Sequence, residues 1–288
     1  MIVGANQNHT PVCCKHCTTH SPTSYNSPMK PAYWHKQTID NPLFVNMLWS
    51  RPENRMHAGK LLIVGGNEYG FAAAAHAYRY AEKAGIGVIR MLLPDSLRKY
   101  VGRDFEAGEY APATPSGSFS QKALAEMLSL ASWADGVLLA GDFGKNSETA
   151  ILLEKFVAKC PCAITLAGDA VDYFLAQPGP VLDRRDTLLA LDPSQLQKLA
   201  IGAHHTRPFT SQLDFLHFIE TLHGFVDDHT AHLLINRLGQ NFVVSEGKVS
   251  TTPTADTDAI RAGAQASVWW LQNPDKPFAA ISTSLVSD

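Results

Sequence analysis

Charge is scarce in this sequence, with only 18% of residues Asp, Glu, Lys or Arg, against about a quarter in an average soluble domain. The 24 basic and 27 acidic residues leave a formal net charge of −3, a balance that argues against a nucleic-acid-binding surface. No apolar run is long enough to cross a bilayer, which argues against a membrane span. The first residues, Met1 to Cys17, lack the charged-then-apolar layout of a secretory signal, so a cytoplasmic protein is expected. Cysteine is sparse and odd in number: five residues, at 13, 14, 17, 160 and 162, imply no disulfide framework. Two common phosphate-binding signatures are also missing, because no G-x-G-x-x-G fits and no Gly-Lys-Ser/Thr closes a Walker loop. What is present is 288 residues with 45% apolar content, enough to bury one large core or two modest ones.

Residues 1–28 mix Cys, His, Thr, Ser, Pro and Asn without hydrophobic period and read as a disordered leader. Its Cys14, His16, Cys17 and His20 have metal-like spacing, but a structural zinc site needs four ligands held by a fold, so no metal is assigned. Residues 29–58 read as an irregular arm whose Trp34, Phe44 and Trp49 are candidate anchors onto the body. From Lys60 the pattern changes. Leu61–Val64 is a short continuous apolar run ending at Gly65-Gly66, as a buried parallel strand would. Ala72–Ala84 predicts a helix stopped by Gly85, and 87–93 a second strand, making one strand–helix–strand unit. The alternation continues with helices near 120–132 and 147–158 and strands at 136–140 and 163–167. A strand at 188–191 and a short helix at 193–200 follow. Phe215, Phe218, Ile219 and Leu222 form one face of a helix within 211–225. Strands at 233–235 and 241–245, a turn at Gly247 and a long helix over 256–271 close the pattern. These elements predict a single α/β domain over 59–288, doubly wound, with a predominantly parallel sheet flanked by helices.

In such sheets ligands bind beyond the carboxyl ends of the strands, so the turns there are the candidate sites. Gly65-Gly66-Asn67-Glu68-Tyr69-Gly70 leads into a helix whose free amides suit an anion, although glycines there also serve tight packing. Gly141-Asp142-Phe143-Gly144-Lys145-Asn146 offers Asp142 as a base, a metal ligand or a plain turn residue. Asp169 occupies the same kind of turn and suits a cap for the next helix. The turn Thr251-Thr252-Pro253-Thr254-Ala255-Asp256-Thr257-Asp258 runs into the last long helix; two Asp one position apart point differently, so one can cap while the other reaches a ligand.

Taken in order, these turns resemble the NAD(P)H-hydrate dehydratase family of the ribokinase-like superfamily, from about residue 54 onward. Residues 60–94 are similar to the family's opening strand, Gly-Gly turn, Ala-rich helix and Ala-Gly-x-Gly strand. Residues 135–145 are similar to its Gly-Pro-Gly-Leu-Gly segment, 165–172 to its Asp-Ala-Asp-Ala-Leu-Asn segment, 189–199 to Leu-Thr-Pro-His-Pro-Gly-Glu, and 254–258 to Gly-Gly-Thr-Gly-Asp. The resemblance implies a ribokinase-like fold and an enzyme that uses ADP or ATP, with Mg2+, to dehydrate hydrated NADH or NADPH. The nucleotide phosphorylates the hydrate's hydroxyl and phosphate is then eliminated. It implies Asp258 as the catalytic base and Ala73, Gly144 and Asp192 at the substrate. It places Asn236, Arg237 and Thr257 at the nucleotide, with Gly65, Gly66 and Asn67 as the glycine turn. The partners expected are small-molecule nucleotides, with no nucleic acid and no membrane, and a homo-oligomer is left open.

The departures are specific. The glycines of Gly-Gly-Thr-Gly-Asp are replaced, the motif His reads Asp192, its Glu reads Gln195, and Lys-Gly reads Asn236-Arg237. Two further readings therefore stand beside the dehydratase: a catalytically impaired ribokinase-like scaffold that binds a nucleotide or a partner, and a kinase of another small alcohol.

Overall fold

The computed structural model describes residues 31–101 and 105–287, so the leader expected over 1–28 lies outside the described residues. Ten strands form one sheet: β1 (Trp34–Lys36), β2 (Lys60–Gly65), β3 (Val88–Pro94), β4 (Gly108–Ala111), β5 (Gly136–Gly141), β6 (Ala163–Leu166), β7 (Thr187–Leu191), β8 (His232–Arg237), β9 (Gln240–Ser245) and β10 (Lys248–Pro253). Their order is β1-β10-β9-β8-β7-β6-β5-β2-β3-β4, and only β9 runs against its neighbours. The helices are α1 (Val45–Leu48), α2 (Ala72–Lys83), α3 (Arg98–Val101), α4 (Leu124–Trp133), α5 (Ser147–Lys159), α6 (Gly179–Leu182), α7 (Pro193–Gly202), α8 (Phe215–Asp227), α9 (Ala259–Gln272) and α10 (Pro277–Ser284).

The central strands are apolar apart from Lys60 and Thr187 at their starts, because both faces of the sheet are covered. Side chains alternate across a strand, and the two faces pack separately. Leu62, Val64, Val137 and Leu139 join residues of α4, α5, α7 and α8, whereas Leu61, Ile63, Leu138 and Ala140 join α2 and α9. The second face is built from small residues, with Ala74, Ala77 and Ala81 of α2 and Ala264 of α9 fully buried. Gly263 lets α9 lie close to the sheet, since a Cβ there would stand 3.2 Å from Ala190 Cβ. A third cluster, with Trp269, Trp270, Phe278 and Ile281, fills the space between α9, α10 and the β8–β9 hairpin.

Several expectations are corrected. The segment before residue 59 is not wholly irregular: β1 pairs in parallel with β10, and Trp34 donates from Nε1 to Thr251 Oγ1 at 3.1 Å. Phe44 packs edge-on against Phe278, but Trp49 is 84% exposed and anchors nothing. Residues 251–253, read as part of a turn, belong to β10, because Glu246-Gly247 reverses the chain tightly enough to return a third strand. The last long helix starts at Ala259 rather than 256, since Asp258 is its cap. The helix predicted within 211–225 starts at Phe215, capped by Asp214.

Candidate functional site

After β2 the chain builds β3 and β4 toward one edge and then returns to place β5 on the other side of β2. This reversal opens a crevice beyond the carboxyl ends of β2 and β5, where doubly wound sheets bind ligands. The glycine turn lies here. Gly66 has φ +96° and its amide donates to Gly141 O at 3.0 Å, while a Cβ on Gly65 would stand 2.5 Å from that same oxygen. Asn67 donates to Asp142 O at 2.6 Å and accepts from Tyr69 N at 2.8 Å.

Asp142 holds a left-handed φ of +59°, which aims its carboxylate across the crevice. Its Oδ2 accepts the Ala73 amide at 2.8 Å, so the first turn of α2, which has no side-chain cap of its own, is capped from another loop. Ala73, which the resemblance places at the substrate, therefore has its amide already bonded. Asp169 does not cap the segment that follows it; its carboxylate accepts Phe143 N at 3.1 Å. Burial pushes the Asp169 pKa up, and the charges of Asp142 and Asp172 add to this against the lowering by the Phe143 and Gly144 amides. Tyr173 donates its hydroxyl to Gly144 O, and burial pushes that phenol up to about 12. Gly144, Lys145, Asn146, Asp169, Asp172 and Tyr173 line a cavity of about 460 Å³.

A second group of residues meets at the ends of β7 and β8 and the start of α9. Asp192 is exposed and forms a capping box with Gln195, accepting its amide at 2.8 Å. Gln195 in turn donates to Gly168 O at 2.8 Å and Asp172 Oδ1 at 3.0 Å, tying α7 to the turn after β6. Asp258 caps α9 through one oxygen: Oδ1 accepts Ile260 N at 2.9 Å and Arg261 N at 3.2 Å. Asp256 is engaged through both oxygens, Oδ1 accepting Asp258 N and Oδ2 accepting Arg261 Nη1, each at 2.8 Å. Thr257 lies exposed between them. Gly168 joins the two groups, since a Cβ there would stand 3.8 Å from Ile260 Cδ1.

Asn236 and Arg237 part company because successive strand residues face opposite ways. Asn236 donates to Asp256 O at 3.0 Å and so belongs to the site. Arg237 turns toward α8, where its buried guanidinium donates to Leu213 O at 2.7 Å and Ser211 O at 3.2 Å and lies 4.4 Å from the Phe218 ring. That corrects its assignment to the nucleotide. Arg261 pairs with Asp256, and its place one turn inside a helix that follows two Asp is the signal the sequence offers for it. No motif marks Tyr173 in the sequence; its place four residues after Asp169 is the one local signal. Among the described residues, no group of three or more His, Cys, Asp or Glu is arranged to hold a metal, and no helix is long and apolar enough to cross a membrane.

No protein-family model matches the chain, and no curated protein matches it significantly in sequence. Solved structures do match. A ribokinase-like superfamily protein from Enterococcus faecalis V583 superposes with a TM-score of 0.66 at 11% identity, over 89% of this chain and 87% of that one. A protein from Streptococcus mutans gives 0.60 at 13% identity, over 83% and 86%. The ADP/ATP-dependent NAD(P)H-hydrate dehydratase of Bacillus subtilis, co-crystallised with ATP and Mg2+, gives 0.55 at 11% identity, over 84% and 85%. The fold of this chain is therefore ribokinase-like.

Proposed function

We propose that the chain is an ADP- or ATP-dependent enzyme that dehydrates hydrated NADH or NADPH, with Asp258 as the base. The observation that carries this reading is the division of labour within one carboxylate. Oδ1 of Asp258 takes both cap bonds of α9, and Oδ2 takes none of the hydrogen bonds formed there. Oδ2 would accept the proton of the hydrate's hydroxyl as that oxygen gains a phosphoryl group, whose later loss as phosphate restores the nicotinamide. Arg261 supports the reading as well. It balances Asp256, which stands where a glycine would otherwise let backbone meet phosphate, and its planar fork suits phosphate oxygens. Magnesium would enter with the nucleotide as part of that substrate, neutralising charge on the phosphates.

The test is recovery of reduced-nicotinamide absorbance from hydrated NADH and NADPH with ADP or ATP and magnesium. Asn caps helices as well as Asp, so Asp258→Asn should keep the fold and lose the recovery. An unchanged rate in Asp258→Asn would remove Asp258 from the chemistry.

One observation favours a second reading, a ribokinase-like scaffold without turnover. The Asp142 carboxylate occupies the Ala73 amide, and Asp169 and Asp172 stand beside it, so the substrate side already carries negative charge. Well-folded wild type that recovers nothing with either nucleotide and either hydrate would establish this reading over the first.

A further inference from the structure

Cys160 and Cys162 lie away from the crevice, at the opposite end of β6, where α5 hands over to the sheet. Cys160 is the C-cap of α5 and buried; Cys162, two residues on across an exposed Pro161, is half-buried. Their sulfurs are 3.7 Å apart. A disulfide needs about 2.05 Å, so rotation of two short side chains covers a gap of under about 2 Å. Arg184 anchors the loop beneath them, donating to Val157 O at 2.9 Å and to Cys162 O, and its Nε–H is buried with no partner among the described residues.

We propose that Cys160 and Cys162 form a thiol–disulfide exchange site whose substrates are low-molecular-weight disulfides and whose oxidised form is the Cys160–Cys162 disulfide. A thiolate of the pair attacks one sulfur of the small disulfide. A protein–S–S–R bond forms, the small S–S bond breaks, and the first thiolate leaves to take up a proton. The second cysteine then gives up its proton and attacks the protein sulfur of that mixed disulfide, closing the Cys160–Cys162 bond and releasing the second small thiol. The protein has lost two electrons and two protons, and the small disulfide has become two thiols.

Three features support the assignment. The two sulfurs lie 3.7 Å apart beside the half-buried Cys162, so whichever of them receives the mixed disulfide has its resolving partner already within reach. The Cys162 thiol next to Cys160 pulls the Cys160 pKa down to about 7, against the opposing effect of burial and with help from the Arg184 charge, while the same pairing pushes Cys162 up. The pairing and the Arg184 charge therefore favour a thiolate on the pair over that of an isolated thiol. No third His, Cys, Asp or Glu joins them among the described residues, so the pair is a dithiol and not part of a larger metal site.

The sequence provides a clean readout. Cleavage after Lys159 and Arg184 releases one peptide that holds both cysteines and excludes Cys13, Cys14 and Cys17. Native full-length protein would be equilibrated with oxidised and reduced glutathione over a series of ratios at pH 7.5, alkylated and mapped by mass spectrometry. The expected result is a 160–184 peptide lighter by two hydrogens and unalkylated, rising with the oxidised fraction and reversed by dithiothreitol. In Cys160→Ser the same treatment should leave a stable glutathione adduct on Cys162. A 160–184 peptide that stays doubly alkylated in wild type at every ratio overturns the proposal, as does one that stops at the glutathione adduct without closing. The wild-type measurement needs no substitution, so a poorly folding variant cannot obscure it.

Discussion

At the scale of single residues, carboxylates decide what this crevice can do. Asp142, Asp192, Asp256 and Asp258 each accept backbone amides at 2.8–3.2 Å, and amides at strand ends and helix starts are the groups a phosphate would use. Asp258 takes both cap bonds of α9 on one oxygen, Asp142 and Asp192 likewise use one oxygen each, and Asp256 uses both. Asp258→Ala should therefore differ from Asp258→Asn: the alanine loses about 1 kcal/mol in urea unfolding through the missing cap, the asparagine almost none, and both lose turnover. Equal stability of the two variants would show that the cap contributes nothing. Gly65 is constrained by packing, because a Cβ there meets Gly141 O at 2.5 Å. Gly65→Ala should destabilise the fold by about 1–3 kcal/mol, read as a lower denaturant midpoint at unchanged slope.

At the scale of elements, two helix starts depend on side chains that the dehydratase resemblance would assign to ligands. Asp192 stands where the family has a histidine at the substrate, yet its geometry is that of a capping box. Asp192→Ala should cost about 0.5–2 kcal/mol in unfolding experiments and leave the KM for the hydrate unchanged; a raised KM at full stability would return Asp192 to the substrate. The capping box itself was legible as Asp-Pro-x-Gln, since Pro suits the first helical position and Gln the third. The capping of α2 was not legible, because Asp142 and Ala73 are 69 residues apart and meet only when β2 and β5 pair. The fate of Arg237 was likewise hidden: period two along β8 sends it to the opposite face from Asn236, but which face carries the site depends on where α8 and α9 pack.

At the scale of the whole molecule, one buried group ties stability to pH. His232, 4% exposed, shares a hydrogen bond of 2.9 Å between its Nδ1 and Ser245 Oγ, and burial lowers its pKa to about 4, with Asp186 opposing. The folded state prefers the neutral ring, whereas the unfolded chain takes a proton once pH falls below about 6.5. Its contribution is therefore fully present above pH 6.5 and is lost down to about pH 4, a swing of about 3 kcal/mol. His205, lowered by burial, acts in the same direction, and Asp169, raised by burial, acts against it. The unfolding midpoint should fall steadily between pH 6.5 and 4, and His232→Gln should flatten that fall; an unaltered slope would clear His232 of the effect. Ligand linkage belongs to this scale too. ADP or ATP with magnesium at a hundred times its dissociation constant should add about 2.7 kcal/mol, and no shift in Tm would argue against a nucleotide site.

The sequence by itself determined the order of strands and helices from Lys60 onward, because continuous apolar runs, Ala-rich helices and glycine stops are local signals that both covered faces of a parallel sheet require. It also determined the two Asp at the start of the last helix, whose spacing lets one cap and leaves the other to a different partner. Only the tertiary structure decided that β1 joins the sheet through β10, that Asp142 fills the amide of Ala73, that Arg237 leaves the site and that Arg261 enters it. Each of these joins residues distant in the chain or chooses one of two faces. Such choices are settled when the sheet and its helices pack together, where the burial of polar groups must be matched by partners that no local window contains.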